Sequence, residues 1–128
     1  MPRVRGSSLI ECLVALAVFA IGSAAHATWL AHSLGVHARA SRSFAATTIA
    51  LNLATRMRAD AEGMRRGDYT KPASHRDMTR FRRDLAEYLG RGASGKVDCE
   101  PDLSCRIRIA WAGREEITWF VPPPPPAV

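Results

Sequence analysis

The hydrophobic pattern of the chain changes its period twice. From Leu9 to Leu30 the sequence LIECLVALAVFAIGSAAHATWL is apolar on every side, and as a helix it would extend about 33 Å, enough to cross a hydrocarbon core. Between Ala38 and Ala61 there is neither Pro nor Gly, and Ala45, Ala46, Ile49, Ala50, Leu53, Ala54 and Met57 recur at helical spacing. The two stretches predict one helix over 7–61, softened near Gly22-Ser23 and Gly35, whose outer half forms the spine of a head. A second helix is predicted after Ser74, a capping residue with Asp77 three positions on. It would set Met78, Phe81, Leu85 and either Tyr88 or Leu89 on one face before Gly90 ends it. Residues 90–95 read as a flexible connector.

The period then falls to two. Cys105, Ile107, Ile109 and Trp111 share a face of a strand over 104–111, and Ala112-Gly113 leads to a second strand over 115–121. A further strand over 96–99 would pair with the first. The fold class is therefore α+β: a long N-terminal hydrophobic helix with a small antiparallel sheet laid on its outer part. Pro122 to Pro126 predict an extended polyproline II tail, with a proline-recognising partner as the less favoured use.

Charge adds direction to this picture. Arg3 and Arg5 precede the apolar run and the next basic residue is Arg39, an asymmetry that puts the N-terminus in the cytoplasm and the remainder outside. Glu11 lies just inside the run, where a carboxylate costs roughly 3 kcal/mol unless it is near the interface or paired. Its natural partner is a positive charge at the same depth. A secretory signal peptide cut after Ala25-His26-Ala27, or a plain single-span anchor, would leave Glu11 without a purpose. A lipoprotein site at Cys12 lacks the small residue it needs in front of the cysteine.

The residues Gly6-Ser7-Ser8-Leu9-Ile10-Glu11-Cys12-Leu13-Val14-Ala15-Leu16-Ala17 resemble the N-terminal signature of type IV pilins and type II secretion pseudopilins. The resemblance implies that prepilin peptidase cuts after Gly6 on the cytoplasmic side and that Ser7 becomes the new, N-methylated terminus. It also implies that Glu11 neutralises the Ser7 amine of a neighbouring subunit, supplying the partner that an isolated anchor lacks. Ser7 stands where an aromatic residue or Met is usual, Ser8 where Thr is common and Cys12 where Val is usual; glycine and glutamate keep their offsets. Further on, Met57-Arg58-Ala59-Asp60 followed by Gly63 and Tyr69 is similar to the end of the stem helix in minor pilins of the PilV type.

On this resemblance the chain divides into a leader (1–6), a transmembrane and polymerisation half of the stem (7–30), a periplasmic head (31–121) and a proline-rich tail (122–128). The implied function is that of a minor pilin in type IV pilus assembly or modification, first in the inner membrane as a single-pass protein and then in the fibre. Its partners would be prepilin peptidase and other minor and major pilins. A minor pseudopilin of type II secretion is the alternative.

Cys99 and Cys105 flank a short segment containing Pro101, and an oxidising periplasm would let them close a hairpin as a disulfide; two unrelated thiols are the other reading. With 18 Lys and Arg against 12 Asp and Glu, the net charge of +6 raises nucleic acid as a partner. Arg65, Arg66, Arg76, Arg80, Arg82 and Arg83 would then contact DNA during uptake. The arginines are interspersed with acids, Arg80 four before Asp84 and Arg83 four before Glu87, which favours a solvated face over a nucleic-acid surface. His26, His32 and His37 do not stack on one helical face, His75 is remote, and no C-x-x-C or phosphate-cradling loop occurs. No catalytic residue, metal site or cofactor is expected, and the chain is not read as an enzyme.

Overall fold

The computed structural model describes residues 8–71, 75–113 and 115–126. The chain forms two compact units, Met1–Arg39 and Ala40–Val128. The first helix, α1 (Leu9–Ala59), contributes to both.

Within the first unit α1 opens at Ser8. Its carbonyl accepts the Glu11 N–H at 2.9 Å and its hydroxyl lies 3.3 Å from the same nitrogen, so Ser8 caps the helix through both oxygens. The helix is unbroken at Gly22 and Gly35, where softening was expected. A glycine in a helix weakens it by about 1 kcal/mol, too little to interrupt so long a run of hydrogen bonds. Leu9, Ile10, Val18, Phe19, Ile21 and Trp29 are all exposed, and this helix is long and apolar enough to span a membrane.

In the second unit α1 becomes amphipathic. Ala46, Ile49, Ala50, Leu53, Ala54 and Met57 are buried, a stripe at i, i+3 and i+4 spacing with small residues that admit close neighbours. The helix stops at Ala59, two residues short of the expected end. Asp60 leaves helical geometry and its carboxylate accepts the Gly63 N–H, starting a separate short helix α2 (Ala61–Arg66) that the hydrophobic pattern did not reveal. Gly67, left-handed at φ 73°, closes α2.

Helix α3 spans Arg76–Leu89 and buries Met78, Phe81 and Leu85. Ser74, its expected cap, lies outside the described residues; His75 occupies the N-cap in extended geometry without a side-chain cap bond. Leu89 packs against the core and Tyr88 is exposed, which resolves the choice between them. Arg80 and Asp84, and Arg83 and Glu87, four apart on α3, do not pair among the described residues; Arg83 reaches its neighbour Asp84 at 3.3 Å.

Three strands follow: β1 (Ser94–Cys99), β2 (Cys105–Trp111) and β3 (Glu115–Val121). They form an antiparallel sheet in the order β1-β2-β3. The connector is thus shorter than expected, since Ser94 and Gly95 are already in the sheet. Gly95 is obligatory there, because a Cβ would fall on Phe81 and Leu85 of α3. Cys105, Ile107, Ile109 and Trp111 turn to the buried face, as their alternation predicted, and share one core with the α1 stripe and the apolar face of α3. Residues 122–126 continue without helix or strand.

Candidate functional site

The residues with expected roles fall at opposite ends of the described chain. Gly6 and Ser7 lie outside the described residues. Glu11 occupies the first turn of α1, where the unpaired N–H groups at a helix start favour a negative charge. Ser8 and Glu11 have the spacing of a capping box, yet only the Ser8 half is made among the described hydrogen bonds. The Glu11 carboxylate is therefore left uncommitted by its own helix, at the start of an apolar surface.

Cys99 and Cys105 are directly opposed in the β1–β2 register and joined as a disulfide. Between them Asp102 accepts the Ser104 N–H at 3.0 Å and its hydroxyl at 2.7 Å, and the Glu100 N–H reaches the Ser104 carbonyl at 2.8 Å. The two bonds from Ser104 hold the Asp102 carboxyl below its usual range, the hydroxyl's first. A loop this short contributes about 2 kcal/mol of stability through the unfolded chain. Cys12 is free and exposed.

The structure also assembles a polar cluster that residue patterns did not indicate. It gathers at the junction of α1, α2 and α3. The buried Tyr69 hydroxyl lies 3.1 Å from Asp60 Oδ2 and 3.2 Å from Asp77 Oδ2, so its single proton serves one carboxylate at a time. Arg56 Nη1 donates to Asp77 Oδ1 at 3.0 Å, and the Gly63 N–H donates to Asp60 Oδ1 at 3.0 Å. The His75 ring packs on Tyr69 with centroids 4.6 Å apart and sets Nε2 3.5 Å from Asp60 Oδ2. Asp77, expected to support a cap at Ser74, instead ties α3 to the end of α1 through Arg56.

Each member shifts the others. The Gly63 N–H is the main cause holding the Asp60 carboxyl below its ordinary range, with the Tyr69 hydroxyl and His75 adding to it against the effect of burial. Burial, followed by the Asp60 and Asp77 charges, pushes the Tyr69 phenol well above its ordinary value, so it remains a donor. Gly63 lets the Asp60 carboxylate close on its N–H, because a Cβ there would displace that carboxylate. Asp60, Gly63 and Tyr69 were present in the sequence as part of the element resembling a stem-helix end. Its physical content is this cluster, which ends α1 and fastens α3 to that helix's last turns. Among the described residues no three His, Cys, Asp or Glu converge as metal ligands.

Residues 1–25 match the family described as Prokaryotic N-terminal methylation motif. No curated protein and no solved structure matches the chain. The chain therefore carries a prepilin-type N-terminus, and the fold behind it is a pilin-like α+β arrangement of a long apolar helix and a small antiparallel sheet. That is the make-up of a structural subunit and not of an enzyme. The motif implies processing by prepilin peptidase, and the apolar helix that follows suits anchoring in the inner membrane before assembly.

Proposed function

We propose that this chain is a minor pilin that enters type IV pili and takes part in their assembly or modification. Prepilin peptidase removes residues 1–6, Ser7 is methylated, and the Glu11 carboxylate receives the Ser7 amine of an adjacent subunit as the helix leaves the bilayer. The N-terminus faces the cytoplasm and the head the periplasm, in keeping with Arg3 and Arg5 before the apolar run. The domains then follow as leader 1–6, anchoring stem 7–30, head 31–121 and tail 122–128.

The observation that carries this reading is Glu11: a lone acid in the first turn of an apolar helix, just behind a methylation motif and with no partner in its own helix. A carboxylate and an ammonium desolvated together cost far less than either alone. The cluster built on Asp60, Gly63 and Tyr69 favours a minor pilin of the PilV type over a secretion pseudopilin, because it explains physically the element that resembles those proteins. DNA binding during uptake is disfavoured by the arginines themselves: Arg65 and Arg66 pair with Glu62 and Asp68, and Arg83 with Asp84.

The deciding experiment is the intact mass and N-terminal sequence of the protein from cells with and without prepilin peptidase, beside a Gly6→Ala control. A peptidase-dependent start at Ser7 is expected. A start after Ala27 would remove Glu11 from the mature chain and overturn the proposal. Pull-down with pilus subunits, and not with secretion subunits, would separate the minor pilin from the pseudopilin.

A further inference from the structure

Among the described residues the head carries a three-stranded sheet, and both of its outer strands, β1 and β3, have one neighbour each. A strand at a sheet edge turns alternate N–H and C=O groups away from its partner. Among the described residues no backbone or side-chain hydrogen bond reaches residues 94–99 from any strand but β2. The edge of β1 is nevertheless not flat. A groove of about 480 Å³ runs beside it, touching residues 95–99 on one side and Tyr69, Met78 and Arg82 on the other. Successive strand residues face opposite ways, so a groove that meets five in a row follows the strand's backbone edge and not one of its faces.

The charges along this groove are arranged in two rows. Lys96 is exposed on the outer face of β1, whereas Arg82 comes from α3, which packs on the inner face through Phe81 and Leu85 against Gly95. Asp98, the acid of the groove, is already held by Arg108 at 2.9 Å and Lys96 at 3.1 Å, while Arg82 has no ion-pair partner among the described residues. An occupant suited to this site is an extended strand with two adjacent carboxylates, one for each face. The opposite edge of the same sheet has that chemistry: β3 begins Glu115-Glu116, adjacent residues that project to opposite faces, and its pairing with β2 leaves its other edge open. The proline run that follows lacks N–H donors and ends any pairing at Val121.

We propose that the β1 edge is an acceptor for β3 of a second copy of this chain, extending the sheet from head to head, with Lys96 and Arg82 receiving Glu116 and Glu115. The contact is heterologous, joining one patch to a different patch, so it leaves a free edge at each end and allows further copies to add. Main-chain hydrogen bonds supply affinity and the paired charges set the register. It is independent of leader processing.

The test uses the full chain in membranes, with Cys12→Ser as background. Lys96→Cys in one tagged copy is co-expressed with a single cysteine at residue 116, 117, 118 or 119 of a differently tagged copy, and oxidised. Cross-links from Glu116→Cys, and next from Thr118→Cys, both on the outer face, are expected to exceed those from Ile117→Cys and Trp119→Cys. Arg82→Glu in the acceptor should reduce them by about ten-fold, and Glu115→Arg in the donor should restore them. Absence of cross-links, loss of the two-residue alternation, indifference to Arg82→Glu, or Lys96→Cys joining to itself would each overturn the proposal. Protection of the β1 amides by a different protein, without cross-links between copies, would assign the edge to that protein and overturn the second copy as occupant.

Discussion

Replacing Tyr69 with Phe isolates the polar cluster that joins α1, α2 and α3 within the head. The ring, only 2% exposed, keeps its packing against His75, and only the hydroxyl between the Asp60 and Asp77 carboxylates is lost. A hydrogen bond to a charged acceptor contributes about 1.5–3 kcal/mol. The lower end applies, because the Asp60 and Asp77 side chains are 36% and 18% exposed and keep the Gly63 N–H and the Arg56 guanidinium, so water and existing donors compensate part of the loss. The expected cost is about 1.5 kcal/mol, a fall in melting temperature of about 6–12 °C for a head of this size. The assay is thermal unfolding of the full chain in detergent, followed by the fluorescence of Trp111 and Trp119. Coupling with Asp60→Ala should appear in a double-mutant cycle. A Tyr69→Phe variant as stable as the parent, or one strictly additive with Asp60→Ala, would refute the role given to the cluster.

The same cluster sets two limits on pH. Tyr69 has a folded pKa above its unfolded value, so its contribution is complete below about pH 10 and is lost as pH rises further; Tyr69→Phe should flatten that alkaline decline in a pH series of melts. Asp60 has a folded pKa below its unfolded value, so its contribution is present above about pH 4 and is lost on further acidification, and Asp60→Asn should weaken the acid decline. Gly95→Ala drives a methyl into Phe81 and Leu85 and should cost about 1–3 kcal/mol in urea unfolding, whereas Gly63→Ala should displace the Asp60 carboxylate and destabilise despite the better helix propensity of alanine. Cys99→Ser with Cys105→Ser should cost about 2 kcal/mol, and in the parent both cysteines should become alkylated only after reduction, read as a mass shift. Glu11→Ala should lower entry into pili without altering the head's melting; unchanged entry would remove Glu11 from the assembly step.

The apolar run, the stripe on the outer helix and the two-residue alternation of β2 were legible in the sequence because each is set by local period and burial preference, which need no knowledge of distant contacts. The methylation motif over residues 1–25 likewise rests on fixed offsets along one segment. The same holds for Cys99 and Cys105, whose pairing needs only a hairpin between them. What the tertiary structure alone decided is how separate segments meet. Helix α1 ends at Ala59 because Asp60 is drawn to Gly63 and Tyr69, and Asp77 serves Arg56 from another helix rather than a cap beside it. Gly63 and Gly95 look like ordinary breakers in the sequence, and only the atoms packed against them show that a Cβ would displace the Asp60 carboxylate at one and meet Phe81 and Leu85 at the other. Side-chain period records which face of an element is buried, but contacts between elements depend on chain path, and that is where the polar cluster and the groove along β1 arise.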